Sequence, residues 1–116
     1  MDLDFTEEHE MLREMARGVL AEYSPLEVVR ELEGDSKGYP DALWKQLIEL
    51  GLVGILIPEA YGGQGQSLLE AAIIYEEFGR SLAPIPHFHS AVLSAGALVA
   101  GGSEALKQEW LPGIAS

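Results

Sequence analysis

The sequence contains no cysteine. Disulfides, thiolate metal sites and a cysteine nucleophile are therefore excluded, and the absence is compatible with a reducing compartment. Basic residues are scarce as well. Seven Lys and Arg stand against nineteen Asp and Glu, a formal net charge of −12. So acidic a chain repels phosphodiester backbones. Its cations, Lys37, Lys45, Lys107, Arg13, Arg17, Arg30 and Arg80, are scattered along the sequence with no basic patch. Neither nucleic acid nor an anionic membrane is an expected partner. No apolar run approaches the roughly 18 residues of a membrane span. The opening MDLDFTEEHE is acidic where a secretory signal would be basic and then apolar. A soluble, cytoplasmic protein is the expectation. There is no G-x-S-x-G and no H-E-x-x-H. The acidic clusters Glu7-Glu8-Glu10 and Glu76-Glu77 have no His or Asp partner at ligand spacing, so they read as solvated helix faces and no metal site is expected.

What is present reads as one all-α domain over residues 1–116, a bundle of five or six helices. Hydrophobic residues make up 47% of the 116, enough for a core. Thr6 is placed to cap a first helix, with Glu7 and Glu8 at its positive end. Leu12, Met15, Ala16, Val19, Leu20 and Tyr23 follow on one face. Ser24 with Glu27 has capping-box spacing, and Pro25 stands at the first position of a short second helix ending near Gly34. Leu43, Trp44, Leu47 and Ile48 form a third stripe, closed by Gly51 as a C-terminal cap. A second capping box, Ser67 to Glu70, opens a helix whose buried face reads as Leu68, Ala71, Ala72, Tyr75, Phe78, Gly79 and Leu82. LAPIP breaks it. From about His87 to Ala100 the chain is apolar all round and rich in small residues, the signature of a helix that lies inside something. Ser103 caps a last helix carrying Leu106, Trp110 and Leu111.

The stretch IPEAYGGQG, residues 57–65, follows the strand-like apolar run 52–57. A P-loop would place Lys and then Ser or Thr directly after its glycines, whereas Gln66 and Ser67 stand here. A dinucleotide fingerprint would need G-x-G-x-x-G within a βαβ unit, and no second strand follows. The glycines therefore read as conformational, supplying positive φ where an extended segment bends into a capped helix.

The succession YPDALWKQLIELGLVGILIPEAYGGQGQS resembles the N-terminal helical domain of the acyl-CoA dehydrogenase family. The resemblance is carried by Pro40, Trp44, Leu47, Gly51, Gly54, Pro58-Glu59, Tyr61, Gly62-Gly63 and Gly65. DFTEEHEMLREMAR and GGSEALKQEWLPGIAS resemble the first and last helices of that domain, so the likeness covers essentially the whole chain. It implies an intact enzyme much longer than this chain, with a β-barrel-like middle domain and a C-terminal helical domain. FAD would sit mainly between those two, and the glutamate that removes the α-proton would lie in the last. The intact enzyme would desaturate an acyl-CoA thioester, passing the β-hydride to the flavin and its electrons to an acceptor flavoprotein. A homo- or hetero-oligomer is implied. The segment would hold neither a catalytic nor a cofactor-binding residue and would be inactive alone. The same domain in an acyl-CoA oxidase or flavin monooxygenase, or a stand-alone helical interaction module derived from it, are the alternatives.

The resemblance also implies that the apolar helix after residue 86 lines the acyl cavity. Pro86, His89, Ser90 and Leu93 stand at i, i+3, i+4 and i+7, so one α-helical face could bring them together as substrate-binding residues. A histidine there suits a partly polar or bulky acyl group. His87 and His89 are two apart, which points their rings away from each other and makes a metal pair implausible. His9, among glutamates, reads as a helix-start or surface residue.

Overall fold

A computed structural model describes residues 2–116. Six α-helices are present among them, and no strand: α1 Glu7–Tyr23, α2 Leu26–Glu31, α3 Asp41–Glu49, α4 Leu68–Arg80, α5 Ala95–Gly101 and α6 Glu104–Ala115. A π-helical segment, Phe88–Ser94, runs directly into α5.

The helix boundaries follow from side-chain chemistry. Thr6 accepts from the His9 backbone N–H, and the Thr6 N–H donates to His9 Nδ1. That is a reciprocal capping box with histidine in the place usually held by Glu or Gln. Ser67 and Glu70 form the expected box on α4, and Ser103 accepts from the Leu106 N–H at the start of α6. At the end of α3 the Leu52 N–H donates to the Leu47 carbonyl and the Gly51 N–H to that of Ile48, with Gly51 at φ 77°. This is a Schellman closure, and its left-handed residue is the glycine expected there.

Two sequence readings of helix ends and faces are corrected. Ser24 does not cap α2. Pro25 is the N-cap residue and no side chain caps the helix; its carbonyl accepts from Val28 and Val29. Helix α2 begins one residue later than the spacing suggested, which leaves the Ser24 hydroxyl buried at the end of α1 without a partner. Of the face expected on α4, Leu68, Ala72 and Gly79 are exposed, as is Leu82 just beyond the helix end, and the buried residues are Ala71, Ile73, Ile74, Glu77 and Phe78. The two β-branched isoleucines take the core positions, which rotates the buried face.

The main core gathers Ala16, Val19 and Leu20 of α1, Leu43 and Leu47 of α3, Leu52, Val53 and Ile55, and Ala71, Ile74 and Phe78 of α4. A smaller cluster of Ile57, Ala95 and Leu111 fastens α5 and α6 to the rest. Glu77 is buried between α1 and α4, contrary to the solvated face read from sequence. It accepts two hydrogen bonds from Arg17, at 3.0 and 2.8 Å, and a longer one from Arg13 at 3.4 Å. A carboxylate leaves water at tolerable cost only when its oxygens are met in this way. Those bonds from Arg17 above all hold the Glu77 carboxyl below its ordinary range.

Residues 52–57 are a chain of turns rather than the strand-like run expected. The glycine loop folds back on them. The N–H groups of Gly62, Gly63, Gln64, Gly65 and Gln66 donate to the carbonyls of Glu59, Pro58, Gly54, Ile57 and Ile55. Gly62 and Gly65 have φ of 88° and 62°. Gly63 serves differently: a Cβ there would stand 2.0 Å from the Ile57 carbonyl oxygen. These two demands predict different costs. Gly62→Ala meets open space and only backbone strain, about 1 kcal/mol. Gly63→Ala must push backbone apart, and should cost at least twice as much by urea denaturation. Equal or smaller loss at Gly63 would contradict the close-packed loop.

Candidate functional site

The helix entering at His87 is fixed from within. His87 is 1% exposed. Its Nε2 lies 2.7 Å from the Leu52 carbonyl oxygen and its Nδ1 lies 2.6 Å from the Tyr75 hydroxyl. A carbonyl only accepts, so Nε2 carries the proton and Nδ1 accepts from the Tyr75 O–H. The ring is neutral, and burial pushes its pKa down. Burial likewise raises the Tyr75 phenol to about 12, which keeps it a donor. Tyr75 and Phe78 meet the imidazole edge to face, at 5.3 and 5.1 Å between centroids. His87 thus packs against its neighbours while the exposed His89 points elsewhere.

Beyond His87 the chain takes i→i+5 bonding. The Ala95 N–H donates to the Ser90 carbonyl, and the Ser94 hydroxyl donates to the His89 carbonyl at 2.7 Å. The wider turn brings residues four or five apart onto one face. Pro86, His89, Ser90, Ser94 and Leu98 therefore line one open groove of about 590 Å³, closed on its other side by Trp110 and Ile114 of α6. Three of the four residues grouped from α-helical spacing, Pro86, His89 and Ser90, come together. Leu93 does not line the groove and stands half exposed outside it, because the π-turn puts Ser94 in its place. Ser94, Leu98, Trp110 and Ile114 were not foreseen. The expectation that this helix is enclosed holds only for one side: Ala91 and Ala95 are buried, while Phe88 and Leu93 are about half exposed.

The remaining candidates are spoken for. His9 sits between two helix starts, its Nδ1 accepting from Thr6 and its Nε2 donating to Glu70 at 3.2 Å. Glu70 is lowered to about 2, chiefly by its hydrogen bond from Ser67. No group of three potential metal ligands occurs among the described residues. The glycine loop does not fit the phosphates of FAD: five successive amides are already committed to backbone carbonyls. Arg13 and Arg17 are likewise committed, to Glu76 and Glu77. No helix among the described residues is long and apolar enough to cross a membrane.

Fold and groove together define an all-helical domain with an open groove between the π-turn and α6. Comparison with known proteins narrows this. The family model described as acyl-CoA dehydrogenase, N-terminal domain, matches residues 6–116. The chain is 34% identical over 104 residues to the acyl-CoA dehydrogenase IpdE2 of Mycolicibacterium smegmatis, covering 89% of this chain and 33% of that protein. The ChsE4-ChsE5 complex from Mycobacterium tuberculosis superposes with a TM-score of 0.88 at 32% identity, over 99% of this chain and 32% of that one. A variant of the Tcur3481-Tcur3483 steroid ACAD does so with a TM-score of 0.81 at 31% identity, over 94% and 30%. The chain belongs to the acyl-CoA dehydrogenase N-terminal domain family. It spans about a third of the length of the curated relatives it matches.

The His87 geometry predicts a pH dependence. Its folded pKa lies below the unfolded value of about 6.5, so its contribution to stability is complete above that pH. As pH falls below 6.5 the unfolded chain takes up a proton that the folded chain refuses, and stability drops. Glu77 and Glu70, both lowered, act in a separate window below about 4.5. Glutamine at 87 can still donate to the Leu52 carbonyl but does not titrate. The stability gap between wild type and His87→Gln should therefore be widest at pH 7 and shrink toward pH 5 in denaturant titrations. Parallel curves would contradict a neutral, buried His87.

Proposed function

We propose that this chain is the N-terminal domain of an FAD-dependent acyl-CoA dehydrogenase, and that the groove beside the π-turn forms part of the wall around the acyl group. The intact enzyme would carry out α,β-desaturation of an acyl-CoA thioester. The catalytic base and the flavin site would lie in the rest of the enzyme, and this segment alone would be inactive. A flavoprotein electron acceptor and a homo- or hetero-oligomeric assembly complete the proposal. The family membership of residues 6–116 supports the reaction class. The observation that carries the role of the site is the groove itself. Pro86, His89 and Ser90 face Trp110 and Ile114 across an opening that no other element among the described residues lines. Leu93 stands beside this opening on the neighbouring face. A groove this wide also suits a bulky acyl group, in keeping with the likeness to a steroid ACAD. An oxidase or monooxygenase sharing the same wall would differ in its acceptor, and dioxygen consumption separates them from a dehydrogenase.

Ser90 tests the role of the wall. In the intact enzyme Ser90→Phe should fill the groove and shift preference toward shorter or narrower acyl groups, by about tenfold in relative kcat/KM, with flavin content unchanged. An unaltered substrate profile would remove the groove from the acyl pocket.

A further inference from the structure

The two sides of the groove differ in chemistry. Trp110 and Ile114 stand one turn apart on α6, and Trp110 is 55% exposed. A flat aromatic face of this kind gives most contact to a planar or ring-shaped neighbour. The facing side sets a few polar groups between the apolar Pro86 and Leu98. The π-turn sets Ser94 where α-helical spacing would set Leu93, so His89, Ser90 and Ser94 follow one another along it. Ser94 spends its hydroxyl proton on the His89 carbonyl. The imidazole of His89 and the hydroxyl of Ser90 make no hydrogen bond within the chain among the described residues. A neutral imidazole offers one donor and one acceptor, and a serine hydroxyl offers both. Covering these groups with a purely aliphatic tail would strip their water and return nothing.

We propose that the acyl group taken by this groove is ring-bearing and carries an oxygen atom, and that His89 and Ser90 are the specificity-determining residues that hydrogen-bond that oxygen while the ring lies against Trp110. This rests on the groove being the acyl wall. A carbonyl oxygen accepts from the His89 N–H or the Ser90 O–H. A hydroxyl can in addition donate to the free imidazole nitrogen. No bond is made or broken in the step; it is recognition only.

The test uses the intact, flavin-loaded enzyme and two acyl-CoA thioesters of one carbocyclic skeleton, the first with a ring ketone and the second with a methylene in its place. The wild type should favour the ketone by about tenfold or more in kcat/KM, carried by KM, because a site built to hydrogen-bond a group rejects the analogue that lacks it. The double variant His89→Phe, Ser90→Ala should reduce that ratio to within about threefold. A wild type that treats the pair alike, or prefers the methylene compound, overturns the inference; so does a ratio that survives in the double variant. The wild-type pair decides the matter if the double variant fails to fold. Should the pair be treated alike while Ser90→Phe still alters acyl preference, only the oxygen recognition falls. Should Ser90→Phe alter nothing, the acyl wall falls with it.

Discussion

A buried imidazole joins three parts of this chain that are distant in sequence. His87 donates to the Leu52 carbonyl, just past the end of α3, and accepts from Tyr75 on α4. Both nitrogens are met, so its desolvation is offset and the ring can sit in the core uncharged. The consequence is directional. With the ring held at both nitrogens, the helix that begins at His87 cannot slide or rotate against α4. His89 and Ser90, two and three residues on, inherit that fixed start and are delivered to the groove.

The clamp depends in turn on where the Leu52 carbonyl points, and this is set by glycine. Gly51 takes the left-handed conformation that closes α3, which turns the chain sharply into Leu52. The turns of 52–57 are then held by three amides of the loop, those of Gln64, Gly65 and Gln66, and the loop lies so close to Ile57 that Gly63 must lack a side chain. Behind the clamp, the Glu77 ion pairs with Arg17 and Arg13 tie α4 to α1. The loop that looked like a phosphate cradle is a brace for the backbone, and its donors are consumed in that work.

Local signals were legible in the sequence. The caps at Thr6, Ser67 and Ser103 and the closure at Gly51 depend on residues within five positions of one another, and the bonds that make the loop structural reach no further than from Gln66 to Ile55. The all-α class and the placing of Pro86, His89 and Ser90 at one opening followed from periodicity and the family likeness. What escaped was set by contacts over distance. Glu77 meets Arg17 across 60 residues and His87 meets Leu52 across 35, and no spacing rule announces either pair. The π-turn is another case: nothing in FHSAVLS distinguishes i→i+5 from i→i+4 bonding, so Leu93 was grouped with residues from which one added residue of turn separates it. On α4, counting small and aromatic residues as core misjudged the face, since Ile73 and Ile74 bury more surface than Ala72 and Gly79.

The most direct measurement is a crystal structure of the intact enzyme holding an unreactive acyl-CoA analogue. The acyl tail should lie within about 4 Å of Pro86, Ser90 and Trp110, with His87 still bonded to the Leu52 carbonyl and the π-turn retained. A groove filled by another helix of the enzyme, with the acyl tail bound elsewhere, would contradict it.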